Sequence, residues 1–86
     1  MKLENKIIEL IAIGASISAN CQPCLEYHIC KANKYGADKD EIEQAIETGK
    51  LVRRGASAKM DAFALKLNKS SLAVSFPDDK ACGCNN

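Results

Sequence analysis

Hydrophobic positions recur with a helical period along the first two thirds of the chain. In residues 3–19 the apolar side chains cover most of a helical cylinder, which predicts a first helix that is buried on nearly all sides and lies at the centre of the fold. These side chains are Ile7, Ile8, Leu10, Ile11, Ile13 and Ile17. The length of the segment and its small residues favour a packed helix over a strand.

Capping signals divide the next part of the chain. Asn20 suits an N-cap, Pro23 suits a first turn and Gly36 suits a terminator, so we predict a second helix over residues 21–35. Asp38 followed by Glu41 has the form of a capping box and predicts the start of a third helix. The face that we expect this helix to bury carries Ile42, Ala45, Ile46 and Leu51.

Gly55 and Ser57 suggest a break, after which an i, i+3, i+4, i+7 pattern predicts a last helix ending near residue 69. That pattern consists of Met60, Phe63, Ala64 and Leu67. Residues 70–86 lack a period, which is typical of an arm or a disordered end. The sequence therefore predicts one all-α domain of about four helices over residues 1–69, followed by a C-terminal tail.

The length and the net charge of the chain limit the kinds of protein that it can be. At 86 residues, folding buries only about 60% of the unfolded surface, so we expect the apolar surface to be covered by assembly into a homo-oligomer. A net charge of +1 gives no electrostatic footprint for nucleic acid or for an anionic membrane. The apolar run at residues 7–17 is too short to span a bilayer and has no cleavage-site pattern, so we expect a cytoplasmic protein.

The chain has five cysteines, an odd number that does not suit a disulfide framework. In a reducing compartment a close pair such as Cys21 and Cys24 is more often catalytic or metal-binding than structural. Both cysteines fall on the opening turns of the second helix, where the helix dipole and free N–H groups stabilise a thiolate. His28 lies one turn beyond Cys24, in a position to exchange protons with it.

Glu9 is the only charged residue between Ile7 and Ala19. A carboxylate on a buried helix needs a partner. If the first and second helices pack side by side, that partner is His28, directly or through a water, which would give a relay from carboxylate to imidazole to thiol.

Glu9, twelve residues before Cys21, followed by the Cys21-x-x-Cys24-x-x-x-His28 pattern, resembles the signature of the alkylhydroperoxidase D (AhpD-like) group of the carboxymuconolactone decarboxylase family. The resemblance covers residues 6–67. The chain departs from this signature between the two cysteines. Peroxidase members can carry a histidine there, where this chain has Gln22 and Pro23.

The resemblance implies an all-α fold that assembles into trimers or hexamers and needs no cofactor. It implies a thiol-dependent peroxidase or disulfide oxidoreductase that acts on a hydroperoxide or a disulfide. A dithiol donor, such as a lipoyl protein or a thioredoxin-like protein, would re-reduce it. Cys24 would attack the peroxide, Cys21 would resolve the sulfenic acid, and Glu9 and His28 would form the proton relay. The helix dipole alone favours Cys21, which lies nearer the helix start and is expected to be the more accessible sulfur.

Other interpretations of the same residues stay open. Cys21, Cys24 and His28 could supply three ligands to zinc, with Cys82 or Cys84 completing the set, which would make the protein a metal-binding module without turnover. The tail dithiol could instead shuttle electrons to the core pair or have no role. Cys30 is expected to be a small buried hydrophobe. The basic stretch from Lys50 to Lys69 is expected to be a solvated face.

Overall fold

The computed structural model describes the backbone of residues 2–73 and the side chains of residues 2–69. This part of the chain forms three helices and no strand: α1 (Asn5–Ser18), α2 (Gln22–Lys34) and α3 (Lys39–Ala73). The all-α prediction is confirmed. Across residues 2–73, no helix has both the length and the apolar character that crossing a membrane requires.

The predicted fourth helix is not separate. Residues 39–73 form one helix of 35 residues, about 52 Å long, and Gly55 lies inside it. A single glycine costs a helix only about 1 kcal/mol relative to alanine, which the long helix tolerates. The helix also continues past the expected end at residue 69. Residues 74–86, which hold most of the predicted tail, lie outside the described part of the chain.

A Schellman motif ends α1 and leads directly into α2. The Asn20 N–H donates to the Ile17 carbonyl (3.1 Å), and the Cys21 N–H donates to the Ser16 carbonyl (3.0 Å). Asn20 has a φ of 57°, the left-handed conformation that this motif requires after the C-cap Ala19. The prediction that Asn20 caps α2 is wrong, because Asn20 belongs to the end of α1 and the N-cap of α2 is Cys21.

The turn between α2 and α3 has the structure that its sequence predicts. Gly36 has a φ of 90°, and its N–H and that of Ala37 close a second Schellman motif on the carbonyls of Asn33 and Ala32. The predicted capping box opens α3. The Glu41 N–H donates to Asp38 Oδ1 (2.8 Å), and the Asp38 N–H donates to Glu41 Oε1 (3.0 Å).

The core lies where α1 packs against both α2 and the first half of α3. It is built on buried Ile13, Ala32 and Ala37, and α1 takes the predicted central place. Partly buried hydrophobic residues surround these three: Leu10, Leu25, Ile29, Ile42, Ala45 and Ile46. The buried face of α3 is thus confirmed except at Leu51, which is exposed.

The prediction that α1 is buried on nearly all sides is wrong within residues 2–69. In α1, Ile7 and Ile11 are exposed, and Ile13 and Ser16 are its only buried residues. In α3, all residues over 54–69 are exposed, including Met60 and Phe63 of the pattern that predicted a last helix. One chain therefore leaves much of its apolar surface uncovered, because no element of residues 2–69 reaches the second half of α3.

Gly49 allows α1 and α3 to approach closely. A methyl group at Gly49 would lie 2.5 Å from the Gly14 carbonyl oxygen and 2.8 Å from Ile17 Cβ. Both neighbours belong to a packed helix and cannot move away cheaply. The Ser18 hydroxyl also donates to the Gly49 carbonyl (3.1 Å), which holds the two helices together at this point.

Gly49→Ala is expected to lower the free energy of unfolding by about 1–3 kcal/mol, because overpacking outweighs the better helix propensity of alanine. Gly55→Ala is the matched control, since no heavy atom lies within 4 Å of a methyl group added there, and it should raise stability by about 0.5–1 kcal/mol. Urea denaturation of both variants at one protein concentration measures the effects. Equal changes in both variants would contradict the close contact at Gly49.

Candidate functional site

Cys21 and Cys24 form a disulfide at the start of α2. Cys21 is the N-cap, and its Sγ accepts a hydrogen bond from the Cys24 N–H (3.3 Å). Pro23 occupies the first turn, where its missing N–H leaves no intrahelical hydrogen bond unmade. The local sequence thus places both sulfurs at the positive end of the helix dipole, as predicted.

The two cysteines differ in exposure. Cys24 is exposed, whereas Cys21 is half-buried beneath the turn that joins α1 and α2. Cys21 is thus the less exposed residue of the pair, whereas its sulfur is the one that the sequence led us to expect as more accessible. The Schellman motif is the reason, because it makes Cys21 part of the packed end of α1 as well as the start of α2.

Glu9 and His28 meet across the interface of α1 and α2. His28 Nδ1 lies 2.6 Å from Glu9 Oε1. The Glu9 side chain is 13% exposed and that of His28 is 28% exposed, so the contact is largely screened from solvent. The direct partnership expected for a carboxylate on α1 is present.

His28 lies one turn beyond Cys24 on α2, and its ring packs edge-to-face against Tyr27. Within residues 2–69, Glu9 is the hydrogen-bond partner of the His28 ring, and Nε2 has none. When an ionised Glu9 accepts the Nδ1 proton, the lone pair of the neutral ring is on Nε2. The imidazole is then oriented on one side and available for proton exchange on the other.

Lys31 is the cation nearest to this pair along α2. Its Nζ lies 5.8 Å from the Tyr27 ring centroid and 5.5 Å from the Tyr35 ring centroid. The pKa of the Lys31 ammonium is raised, first by Tyr27 and then by Tyr35, with a smaller contribution from Glu9. Lys31 therefore keeps its positive charge against the two tyrosine rings.

Of the three other cysteines, only Cys30 lies within the described residues, and it is not part of the site. Cys30 is a free, exposed thiol, so the expectation that it is buried is wrong, because it lies on the outer face of α2. Cys82 and Cys84 lie outside the described residues. Over residues 2–69, no three His, Cys, Asp or Glu side chains group in a way that would hold a metal ion, and the proposed zinc ligands Cys21, Cys24 and His28 are not such a group.

Arg53 is a residue that the sequence did not single out. Its Nη1 donates to Asn20 Oδ1 (2.8 Å) and to the Ile17 carbonyl (3.2 Å), so it bridges α3 to the turn that carries Cys21. In the sequence it belongs to a basic stretch that was interpreted as a solvated face. No local signal distinguishes it, since its partners lie 33 and 36 residues away.

Comparison with known proteins identifies the family to which this chain is similar. The sequence model of the carboxymuconolactone decarboxylase family matches residues 1–65, a stretch that includes the disulfide, Glu9, His28 and Arg53. No curated protein and no solved structure matches the chain significantly.

Proposed function

Because the chain belongs to the carboxymuconolactone decarboxylase family, we propose that it is a thiol-dependent peroxidase or disulfide oxidoreductase of the AhpD-like kind. The observation that carries the proposal is the Cys21–Cys24 disulfide at a helix N-terminus, one turn from a histidine held by a carboxylate. These four side chains are all that a cysteine-based peroxide reduction requires: a nucleophile, a resolving thiol, a base and a group that orients the base.

The proposed reaction begins with the reduced pair. His28 Nε2 takes the proton of the Cys24 thiol, and Glu9 stabilises the imidazolium that forms. The Cys24 thiolate attacks one peroxide oxygen, the O–O bond breaks, and the other oxygen leaves as an alcohol or water after taking up a proton. Cys24 is now a sulfenic acid.

The resolving step produces the disulfide seen in the structure. The Cys21 thiolate attacks Cys24 Sγ, the S–O bond breaks, and the hydroxyl leaves as water. A donor dithiol then reduces the disulfide by two thiol exchanges and is itself oxidised to a disulfide. A disulfide substrate would enter the same cycle through attack by the reduced pair, without the sulfenic acid. A reducing cytoplasm would supply such donors.

Stoichiometry tests the proposal. The full chain with Cys30, Cys82 and Cys84 changed to serine carries only the Cys21–Cys24 pair. One equivalent of peroxide should consume both thiols of the reduced protein and yield an intramolecular disulfide, and a dithiol such as dihydrolipoamide should sustain peroxide consumption. Thiols that survive both excess peroxide and an oxidised dithiol would contradict the proposal.

The exposed surface of α3 supports self-association as part of the proposed function. Met60, Phe63 and Leu65 are each more than half exposed, and an apolar groove of about 510 Å³ runs between α1 and α3 beside exposed Ile11. An exposed apolar surface that extends over both α1 and α3 is typical of an interaction site. A second copy of the chain would cover it, in line with the trimers or hexamers that the family resemblance implies.

Light scattering should accordingly give a mass of several chains at micromolar concentration. Phe63→Glu should lower the mass, because a carboxylate buried in an apolar interface costs several kcal/mol. Asn68→Glu introduces the same charge on the same helix and should leave the mass unchanged. A wild-type protein that stays monomeric would contradict this part of the proposal.

A further inference from the structure

A small cavity lies beside the disulfide, on the side of Cys21. It measures about 170 Å³, and Cys21 and Arg53 both line it, together with Leu25 and Asn20. Cys24 is not among its lining residues. A molecule in this cavity therefore contacts Cys21 and not Cys24.

The charge of Arg53 is not neutralised by any carboxylate among residues 2–69, since the ion pairs there join other residues. Within residues 2–69, only Nη1 of the guanidinium is engaged, by a carbonyl and an amide oxygen. A guanidinium has five N–H donors arranged in a plane, so donors remain for an anion. The N-terminal end of α2, which begins at this cavity, adds to the positive potential.

We propose that this cavity binds a small thiol that carries a carboxylate, with the carboxylate on Arg53 and the thiolate at Cys21 Sγ. This inference rests on the proposed function and names the chemical class of its reductant. Leu25 offers an apolar wall for the short carbon chain between the two groups. The volume is below the range of about 300–1,000 Å³ that is usual for larger organic ligands, which favours a small molecule.

The step balances as a thiol–disulfide exchange. The bound thiolate attacks Cys21 Sγ, the Cys21–Cys24 bond breaks, and Cys24 leaves with the electron pair and takes a proton from solvent. A second thiolate attacks the ligand sulfur of the mixed disulfide and releases Cys21. Two thiols become one disulfide, and the protein gains two electrons and two protons.

Rates of reduction by matched thiols test the proposal on the full chain with Cys30, Cys82 and Cys84 changed to serine. The probes are 3-mercaptopropionate, 2-mercaptoethanol and cysteamine, which carry a negative, no and a positive charge beside the thiol. Each rate is divided by that of the same thiol on the denatured oxidised protein, which has the same disulfide and no cavity. This ratio cancels the intrinsic reactivity of each thiol.

At low salt the ratio for 3-mercaptopropionate should exceed that for 2-mercaptoethanol by about fivefold, as expected for one partly exposed ion pair, and cysteamine should give the lowest ratio. The preference for 3-mercaptopropionate should shrink in 0.5 M salt, which is roughly three times the physiological ionic strength and screens the ion pair. Arg53→Gln should abolish it and Arg53→Lys should keep part of it. Arg54→Gln, which removes the same charge from the neighbouring exposed residue, should keep it in full.

Each outcome has one meaning. Peptide mapping after an acid quench should find mercaptopropionate on Cys21; finding it on Cys24 would overturn the proposal. Equal ratios for the three thiols, or an equal loss in Arg53→Gln and Arg54→Gln, would overturn it and leave the proposed function intact. A disulfide that dihydrolipoamide reduces but none of the three monothiols reduces would overturn this proposal alone, whereas one that resists the dithiol as well would overturn both.

Discussion

Replacing Cys24 by serine is expected to abolish the reaction with peroxide. In Cys21→Ser, made on the full chain with Cys30, Cys82 and Cys84 changed to serine, one equivalent of peroxide should instead leave a stable sulfenic acid on Cys24, because no other thiol remains to resolve it. Trapping with a dimedone probe followed by mass spectrometry identifies the modified residue. The loss in Cys24→Ser should exceed about a hundredfold, since His28, the only histidine of the chain, lies one turn from Cys24 and not from Cys21.

The structure sharpens this test, because its local features favour different cysteines. The Cys24 N–H donates to Cys21 Sγ, an interaction that would stabilise a thiolate on Cys21. Cys24 is the exposed residue of the pair and lies one turn from His28. A fast sulfenic acid on Cys21 in Cys24→Ser would assign the attack to Cys21. Cys30→Ser, which removes an exposed thiol from the same helix, is the control and should react at the wild-type rate.

Glu9→Gln is expected to slow thiol oxidation by about a hundredfold while costing little stability. Glutamine keeps the size of the side chain and can still accept from His28 Nδ1, but it removes the charge that stabilises the imidazolium. Stopped-flow measurement of thiol loss gives the rate, and urea denaturation gives the stability. Glu26→Gln removes one exposed charge from α2 and should change the rate less than twofold.

A rate for Glu9→Gln equal to that of wild type would remove Glu9 and His28 from the proton transfer. A loss of stability large enough to account for the lower rate would assign the pair a packing role instead. The comparison with Glu26→Gln separates a local effect of Glu9 from a general change of charge near the disulfide.

Local chemistry in the sequence predicted several features well. The capping box at Asp38 and Glu41, the terminator at Gly36 and the proline in the first turn of α2 are each determined by neighbouring residues, and each is present. The contact of Glu9 with His28 was also predictable. A short turn between two helices makes them antiparallel neighbours, and a carboxylate on a largely apolar helix requires a partner.

The predictions that were wrong concern features that depend on contacts between residues far apart in the sequence. Asn20 suits an N-cap and a left-handed C-terminal position equally well, and the packing of α1 against α2 selects the second. Gly55 resembles a break, yet α3 continues through it without strain. The role of Arg53 depends on how α3 crosses the turn before α2, which no local pattern encodes. The burial expected for Ile7 and Ile11 requires a neighbour that residues 2–69 do not supply.

Cys21 belongs to the end of α1 and to the start of α2, so it fixes the register of α2 relative to α1 and thereby the positions of the site residues. This residue closes the last turn of α1 and opens the first turn of α2, so the linker has no spare residue. Inserting one residue there would break the shared cap, and a shift of one residue along α2 turns its face by about 100°, which would carry His28 away from Glu9. Changes of length should be far better tolerated in α3 beyond Arg53, where residues 54–69 are all exposed. Among related sequences, we therefore expect the interval from Glu9 to His28 to stay constant while the length of the final helix varies.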